Sequence, residues 1–108
     1  MAVTQAANGT QAATISTEHT LATITTAGVY VLRVDVNALA NGDRLTLRAK
    51  VKALSGGTTR QLFAAVLEHA QADKIVDSIP VPIAHEVVFT LQQNAGTGRS
   101  FDWSVLSL

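Results

Sequence analysis

Residues 44–54 read Arg-Leu-Thr-Leu-Arg-Ala-Lys-Val-Lys-Ala-Leu, and from 44 to 53 polar or basic side chains alternate with apolar ones without a break. Because successive side chains of a β-strand point to opposite faces of the sheet, the alternation predicts a half-buried strand with one apolar and one basic face. The run is bounded by Asn-Gly-Asp at 41–43 and Ser-Gly-Gly at 55–57, residue types that favour tight turns. This segment therefore predicts a sheet protein.

The rest of the chain repeats the pattern of short strands separated by turns. Further strands are predicted at 29–36, 85–92 and 101–108, with shorter ones within 14–24 and at 75–79. Residues 94–98, Asn-Ala-Gly-Thr-Gly, are expected to be a hairpin connection. About seven or eight strands at this spacing predict an all-β fold, a small antiparallel β-sandwich.

Residues 60–74 are ambiguous, because their large apolar side chains suit one face of a helix as well as a buried strand. Their Ala, Leu, Gln and Glu content favours a helix. A strand that ends in Gly-Gly most simply folds back on the next segment as a hairpin, and sequential strands usually pair. We therefore expect a strand, with a helix as the alternative.

The alternation also predicts which side chains form the core. The expected core faces are Tyr30, Leu32, Val34 and Val36; Val87, Phe89 and Leu91; and Phe101, Trp103 and Val105. Trp103 is the only Trp, and we interpret it as a core anchor, with ligand stacking as the alternative.

The length and composition of the chain exclude several classes of protein. At 108 residues the chain is one domain, and its lack of Cys excludes a disulfide framework, a thiolate zinc site and a cysteine nucleophile. Only 15% of residues are charged, against about 25% in an average soluble domain. Since charge keeps a free monomer soluble, this scarcity indicates either a surface held against other protein or ordinary variation. No signal-peptide pattern and no apolar run of about 20 residues is present, and we expect no membrane partner.

Residues 1–13 consist mainly of small and polar side chains that bury too little surface to offset their ordering entropy. We expect an extended, mobile N-terminal arm outside a single sandwich domain at 14–108. A neighbouring molecule would order such an arm by strand addition or in a groove, and a floppy terminus without a role is the alternative. The candidate contact residues of the arm are Val3, Thr4, Gln5, Asn8, Thr10 and Gln11.

The sequence contains few residues in patterns typical of catalysis or metal binding. Each of the three histidines has a glutamate beside it, at 18–19, 68–69 and 85–86, but adjacent residues on a strand face opposite ways and form no dyad. The chain has no short-range metal-ligand spacing, no Gly-x-Ser-x-Gly elbow, no phosphate-binding loop and no closely spaced pair of carboxylates. We expect no catalytic residue, cofactor or metal, and a protein that is not an enzyme.

One polar feature has a regular geometry, the basic row Arg44, Arg48, Lys50 and Lys52. Side chains on one face of a strand follow each other at about 6.6 Å, so the row forms a positive stripe. It could pair with acidic groups on an adjoining strand or another subunit, or it could be a solvated face that discourages edge pairing. Nucleic-acid binding would require stacking aromatics and a basic surplus, and both are missing, so no nucleic-acid partner is expected.

Five segments resemble a group of short tailed-bacteriophage virion structural proteins, in order along nearly the whole chain. They are Gly-Thr-Gln-Ala-Ala-Thr-Ile-Ser-Thr-Glu-His-Thr-Leu at 9–21, Gly-Val-Tyr-Val-Leu at 28–32, Asn-Gly-Asp-Arg-Leu-Thr-Leu-Arg at 41–48, Pro-Val-Pro at 80–82 and Ala-Gly-Thr-Gly-Arg-Ser-Phe-Asp-Trp at 95–103. The resemblance implies a small, jelly-roll-like β-sandwich. It also implies a decoration or cement subunit that binds the capsid exterior, often as a trimer at symmetry axes.

The sequence-based hypothesis is a capsid decoration protein, made in the bacterial cytoplasm and located on the virion surface. Its expected partners are the major capsid protein and sister subunits in a homotrimer, contacted through residues 1–13 and the basic row. The alternatives are a phage tail or fibre component, and a carbohydrate-binding module on the virion surface.

Overall fold

The computed structural model describes residues 3–108, and this part of the chain is all-β, with no helix and nine strands in two antiparallel sheets. In chain order the strands are β1 (Thr4–Ala12), β2 (Glu18–Ile24), β3 (Gly28–Asp35), β4 (Arg44–Val51), β5 (Arg60–Glu68), β6 (Ile75–Asp77), β7 (Val81–Ile83), β8 (Val87–Ala95) and β9 (Ser100–Ser107). The prediction of a small β-sandwich is confirmed.

The strand order defines the topology. One sheet runs β1-β9-β3-β6, with β7 also on β3, and the other runs β2-β8-β4-β5. The chain thus passes repeatedly from one sheet to the other, and the two orders together are those of a jelly roll. β6 and β7 act as one edge strand interrupted around Pro80, which lacks an N–H for the ladder.

Two predictions about connections have opposite outcomes. The hairpin between residues 44–54 and the following segment is confirmed, because β4 pairs with β5 from Arg44 opposite Glu68 to Val51 opposite Arg60. The hairpin at residues 94–98 is wrong, because β8 and β9 belong to different sheets. This loop crosses between the sheets.

The core lies between the sheets, and the predicted core faces are confirmed. Its large, fully buried side chains include Leu32, Val34, Leu45, Val87, Phe89, Leu91, Phe101 and Val105. Trp103 packs against this core opposite Gly9 of β1. A Cβ at Gly9 would lie 3.2 Å from Cζ2 of the indole, so the missing side chain lets the ring lie against the strand.

The expected arm requires a correction. Residues 4–12 are extended, as expected, but they form β1, an edge strand paired with β9 of the same chain from Thr4 opposite Ser107 to Ala12 opposite Ser100. The apolar side chains of β9 provide the buried surface that the small side chains of β1 lack. β1 therefore belongs to the sandwich, and positions 1 and 2 of the expected arm lie outside the described residues.

The ambiguous residues 60–74 contain β5, and the helix alternative is wrong. Phe63 and Leu67 face the core side and are half-buried, whereas Leu62 and Val66 face outward and are exposed. A strand with apolar side chains on both faces imitates the spacing of an amphipathic helix, and this is why periodicity did not separate the two.

Candidate interaction surfaces

The basic row lies on the outer face of β4, and its charges are paired within the chain. Arg44 Nε lies 3.1 Å from Glu68 Oε1, and Arg48 Nη1 lies 3.3 Å from Glu18 Oε2. The same Glu18 oxygen is 2.9 Å from Lys50 Nζ. Lys52, just beyond β4, lies 3.9 Å from Glu86. The stripe is thus an ion-pair ladder that ties β4 to β5 and, across β8, to β2.

Glu18 of β2 is the centre of this ladder. Its carboxylate also accepts a hydrogen bond of 2.7 Å from the hydroxyl of Thr90 on β8. The Thr90 hydrogen bond, together with the hydrogen bond and charge of Lys50, lowers the pKa of Glu18 below its usual value. Glu18 therefore remains ionised at neutral pH and joins three strands across the outer face of the sheet.

A second charged cluster, around Asp43, is buried at one end of the sandwich. The carboxylate of Asp43 accepts hydrogen bonds from Ala40 N (3.0 Å), Thr97 N (3.2 Å) and Arg99 Nε (3.0 Å). Burial raises the pKa of Asp43, but the bonds from Ala40, Arg99 and Thr97 together outweigh it and hold this pKa below its usual value. We call this the locked end of the sandwich.

The loop between β8 and β9 fits around the Asp43 carboxylate. Gly96 has φ +91°, and a Cβ on this residue would collide with the Asp43 side chain, so only Gly fits. The buried amide of Gln93 donates to the carbonyls of Ala95 and Thr97 and accepts from Arg99 N at 3.0 Å. The buried side chains of Asp43 and Gln93 thus find their hydrogen-bond partners within the chain, and the cluster has a structural role.

Two of the three histidines accept hydrogen bonds from the backbone. His19 Nε2 accepts a hydrogen bond from Thr14 N at 3.1 Å, and His69 Nδ1 accepts one from Gly42 N at 3.0 Å. Within residues 3–108, no three His, Asp or Glu side chains lie close enough together to hold a metal ion.

The candidate contact residues of the expected arm all belong to β1 or directly precede it. Asn8 bonds to Gln5 at 2.9 Å, and Thr10 donates to Asp102 of β9 at 2.6 Å. Gln11 lies opposite the buried Phe101. Val3 is 58% exposed. Of the candidate side chains, Val3 is the large apolar one that remains free for a partner.

Apolar side chains gather on the outer face of the β1-β9-β3 sheet, at the end opposite Asp43. In the ladder, Leu106 of β9 lies between Gln5 of β1 and Val31 of β3. Leu108 N donates to Val29 O at 2.9 Å and extends the row. We call this surface the open end; it comprises the exposed Val3, Ile79 and Leu108 and the partly buried Val29 and Leu106, which surround the buried Val31. Alternation along β9 indicates Leu106 and Leu108, and Val3 is one of the candidate contact residues of the expected arm, whereas no sequence pattern indicates Ile79.

Comparison with protein-family models, with curated proteins and with solved structures found no match for this chain. In residues 3–108, no helix has the length and apolar character needed to cross a membrane.

Proposed function

We propose that the protein is a structural subunit of a bacteriophage virion, a capsid decoration or cement protein that binds the outer head surface and stabilises the shell. The proposal combines the sequence resemblance with a compact jelly-roll sandwich whose buried Asp43 and Gln93 side chains are hydrogen-bonded within the chain. The proposed partners are the major capsid protein and sister copies, as trimers at symmetry axes of the shell.

The observation that carries the proposal is the open end. Val3 is 58% exposed and Leu108 is 45% exposed, although each lies at the end of an ordered strand. A contiguous apolar patch on a soluble domain marks an interaction surface for another macromolecule. We assign the contact with the shell to this patch.

The charge distribution supports a protein partner. Six cations make ion pairs inside the described chain: Arg33, Arg44, Arg48, Lys50, Lys52 and Arg99. A surface whose positive charges are paired with nearby carboxylates does not attract a polyanion over long range. The basic row, which the sequence suggested as a contact, therefore contributes less to attachment than the apolar end.

Stabilising the shell requires no catalysis, because a protein that binds only the assembled shell stabilises the assembled state by mass action. At a free concentration of 100 times Kd, one site contributes about 2.7 kcal/mol. Copies arranged by shell symmetry repeat this contribution at every equivalent site, and a subunit that bridges two capsomers gains further from multivalency.

The test is binding of purified protein to expanded heads that lack it. Leu106→Lys places a charge in the centre of the open end, and we expect at least a tenfold loss of occupancy at equal concentration. Ile15→Lys is the matched control, since Ile15 is 37% exposed in the loop between β1 and β2, outside the open end, and should bind normally. Equal occupancy of both variants would contradict the assignment of the patch.

The same purified protein can be used to test the two alternative functions. Wild-type protein that binds purified tails but not heads would identify a tail or fibre component. A glycan array tests the carbohydrate-binding alternative, which requires an open aromatic platform, whereas one face of Trp103 lies against β1 at Gly9. Deletion of residues 1–13 is unsuitable as a test, because it removes strand β1 and uncovers β9.

A further inference from the structure

Strand β5 has a free edge that the fold does not protect. Within residues 3–108 it is the last strand of the β2-β8-β4-β5 sheet and pairs only with β4. It is nine residues long and contains no Pro, and its charges, Arg60 and Glu68, stand at its two ends. By contrast, the β6/β7 edge is short and is broken around Pro80. Unprotected edges of this length template the addition of another strand.

The outer face of β5 is also apolar. Leu62 is 49% exposed and Val66 is 57% exposed, with the small, exposed Ala64 between them. A β-bulge shifts the register near Leu62, while Phe63 to Glu68 remain regular against β4. Neither Leu62 nor Val66 is among the residues that pack on the core. The fold itself therefore gives no reason for these two large side chains.

The strand is complementary to itself. If two copies of β5 run antiparallel about a twofold axis at Ala64, Leu62 lies directly opposite Val66 of the partner subunit. Apolar pairs of this kind are the unit of sheet stabilisation. The same arrangement brings the Arg60 end beside Glu68 of the partner subunit, and Arg60 makes no ion pair within residues 3–108.

We propose that β5 is a self-association edge, through which two copies of this chain join their four-stranded sheets into one continuous sheet about a twofold axis at Ala64. Such an interface is isologous and closes after two subunits. The inference is independent of the proposed function. If another surface forms trimers, the β5 edge joins two of them.

A single cysteine tests the register, because the chain contains no Cys. Directly opposite residues of an antiparallel pair have Cα atoms about 4.5–5.5 Å apart, within the range that a disulfide spans. Ala64→Cys should therefore cross-link to a covalent dimer under mild oxidation, as seen on non-reducing gels. Val66→Cys, two positions away on the same face, meets Leu62 of the partner subunit and should remain largely uncross-linked.

The mass in solution is the second measurement. Light scattering should give an even multiple of the 11.3 kDa chain, and Val66→Lys should halve this mass while the circular dichroism stays unchanged. Ile15→Lys, in the loop between β1 and β2, serves as the control and should keep the wild-type mass. A wild-type monomer, a trimer that Ala64→Cys does not cross-link, or faster cross-linking of Val66→Cys than of Ala64→Cys would each overturn the inference.

Discussion

The two ends of the sandwich differ in their side chains: the locked end contains buried, hydrogen-bonded polar groups, and the open end carries exposed apolar groups. At the locked end, the buried side chains of Asp43 and Gln93 form hydrogen bonds with the surrounding loops. The backbone carbonyl of Asp43 also accepts a hydrogen bond of 2.9 Å from His69 N. At the open end, Leu108 and Ile79 are 45% and 46% exposed. Buried polar groups without partners cost free energy, and so the locked end had to be completed inside the chain. We propose that another molecule covers the apolar open end.

This difference separates stability from binding. Substitutions at the locked end should lower the free energy of unfolding, whereas substitutions at the open end should leave stability nearly unchanged and weaken binding. The following predictions test that separation, in order of decreasing effect on stability.

The largest effect is expected for Asp43→Ala. The substitution leaves two backbone N–H groups and the Arg99 guanidinium without their acceptor, and we expect a loss of about 3 kcal/mol in the free energy of unfolding. Urea unfolding measures it. Asp73→Ala, at an exposed aspartate between β5 and β6, is the control and should change stability by less than about 0.5 kcal/mol. An equal loss in the free energy of unfolding in both variants would contradict the stabilising role of Asp43.

Gly96→Ala should come next. The added methyl group meets the Asp43 side chain, and the backbone at φ +91° disfavours any residue with a Cβ. We expect a loss of about 2 kcal/mol, measured by thermal or urea unfolding. Gly56→Ala is the control, since a Cβ there meets nothing within 4 Å and φ is not positive.

Acid should weaken the locked end in a defined direction. Because folding lowers the pKa of Asp43, its carboxylate stabilises the fold fully above its unfolded pKa of about 4, and this contribution is lost as the pH falls through the lower, folded value. Asp43→Asn should therefore flatten the decline of stability below about pH 4. Part of the decline should persist, because Glu18 and Asp77 also have lowered pKa values. An unchanged slope would contradict the account.

The smallest effect on stability is expected for Leu108→Lys at the open end. Since this side chain is 45% exposed, the free energy of unfolding should change by less than about 0.5 kcal/mol. Occupancy on expanded heads should nevertheless fall. A variant that loses stability but binds normally would reverse the assignment of the two ends.

The sequence predicted the strands with strong alternation, because Leu45, Phe89 and Phe101 each lie in a period-two pattern that shows which face is buried. It did not predict β1, since small polar side chains show no pattern, and the apolar surface that orders this strand is on β9, at the other end of the chain.

The locked end was not predicted for a related reason. Asp43 resembles an ordinary turn residue after Asn-Gly, and its partners Thr97 and Arg99 lie 54 and 56 positions away. The basic row was visible, but its pairing with Glu18 depends on the jelly-roll order that places β2, β8 and β4 side by side. Contacts set by topology leave no local signal in the sequence.

The most direct test of the proposed role is cryo-electron microscopy of heads saturated with the protein, at a resolution that orients the sandwich. The account predicts density on the outer head surface with Leu106 and Leu108 facing the shell and the Asp43 loops facing away. Density with the Asp43 end against the shell, or no density on the heads at all, would contradict it.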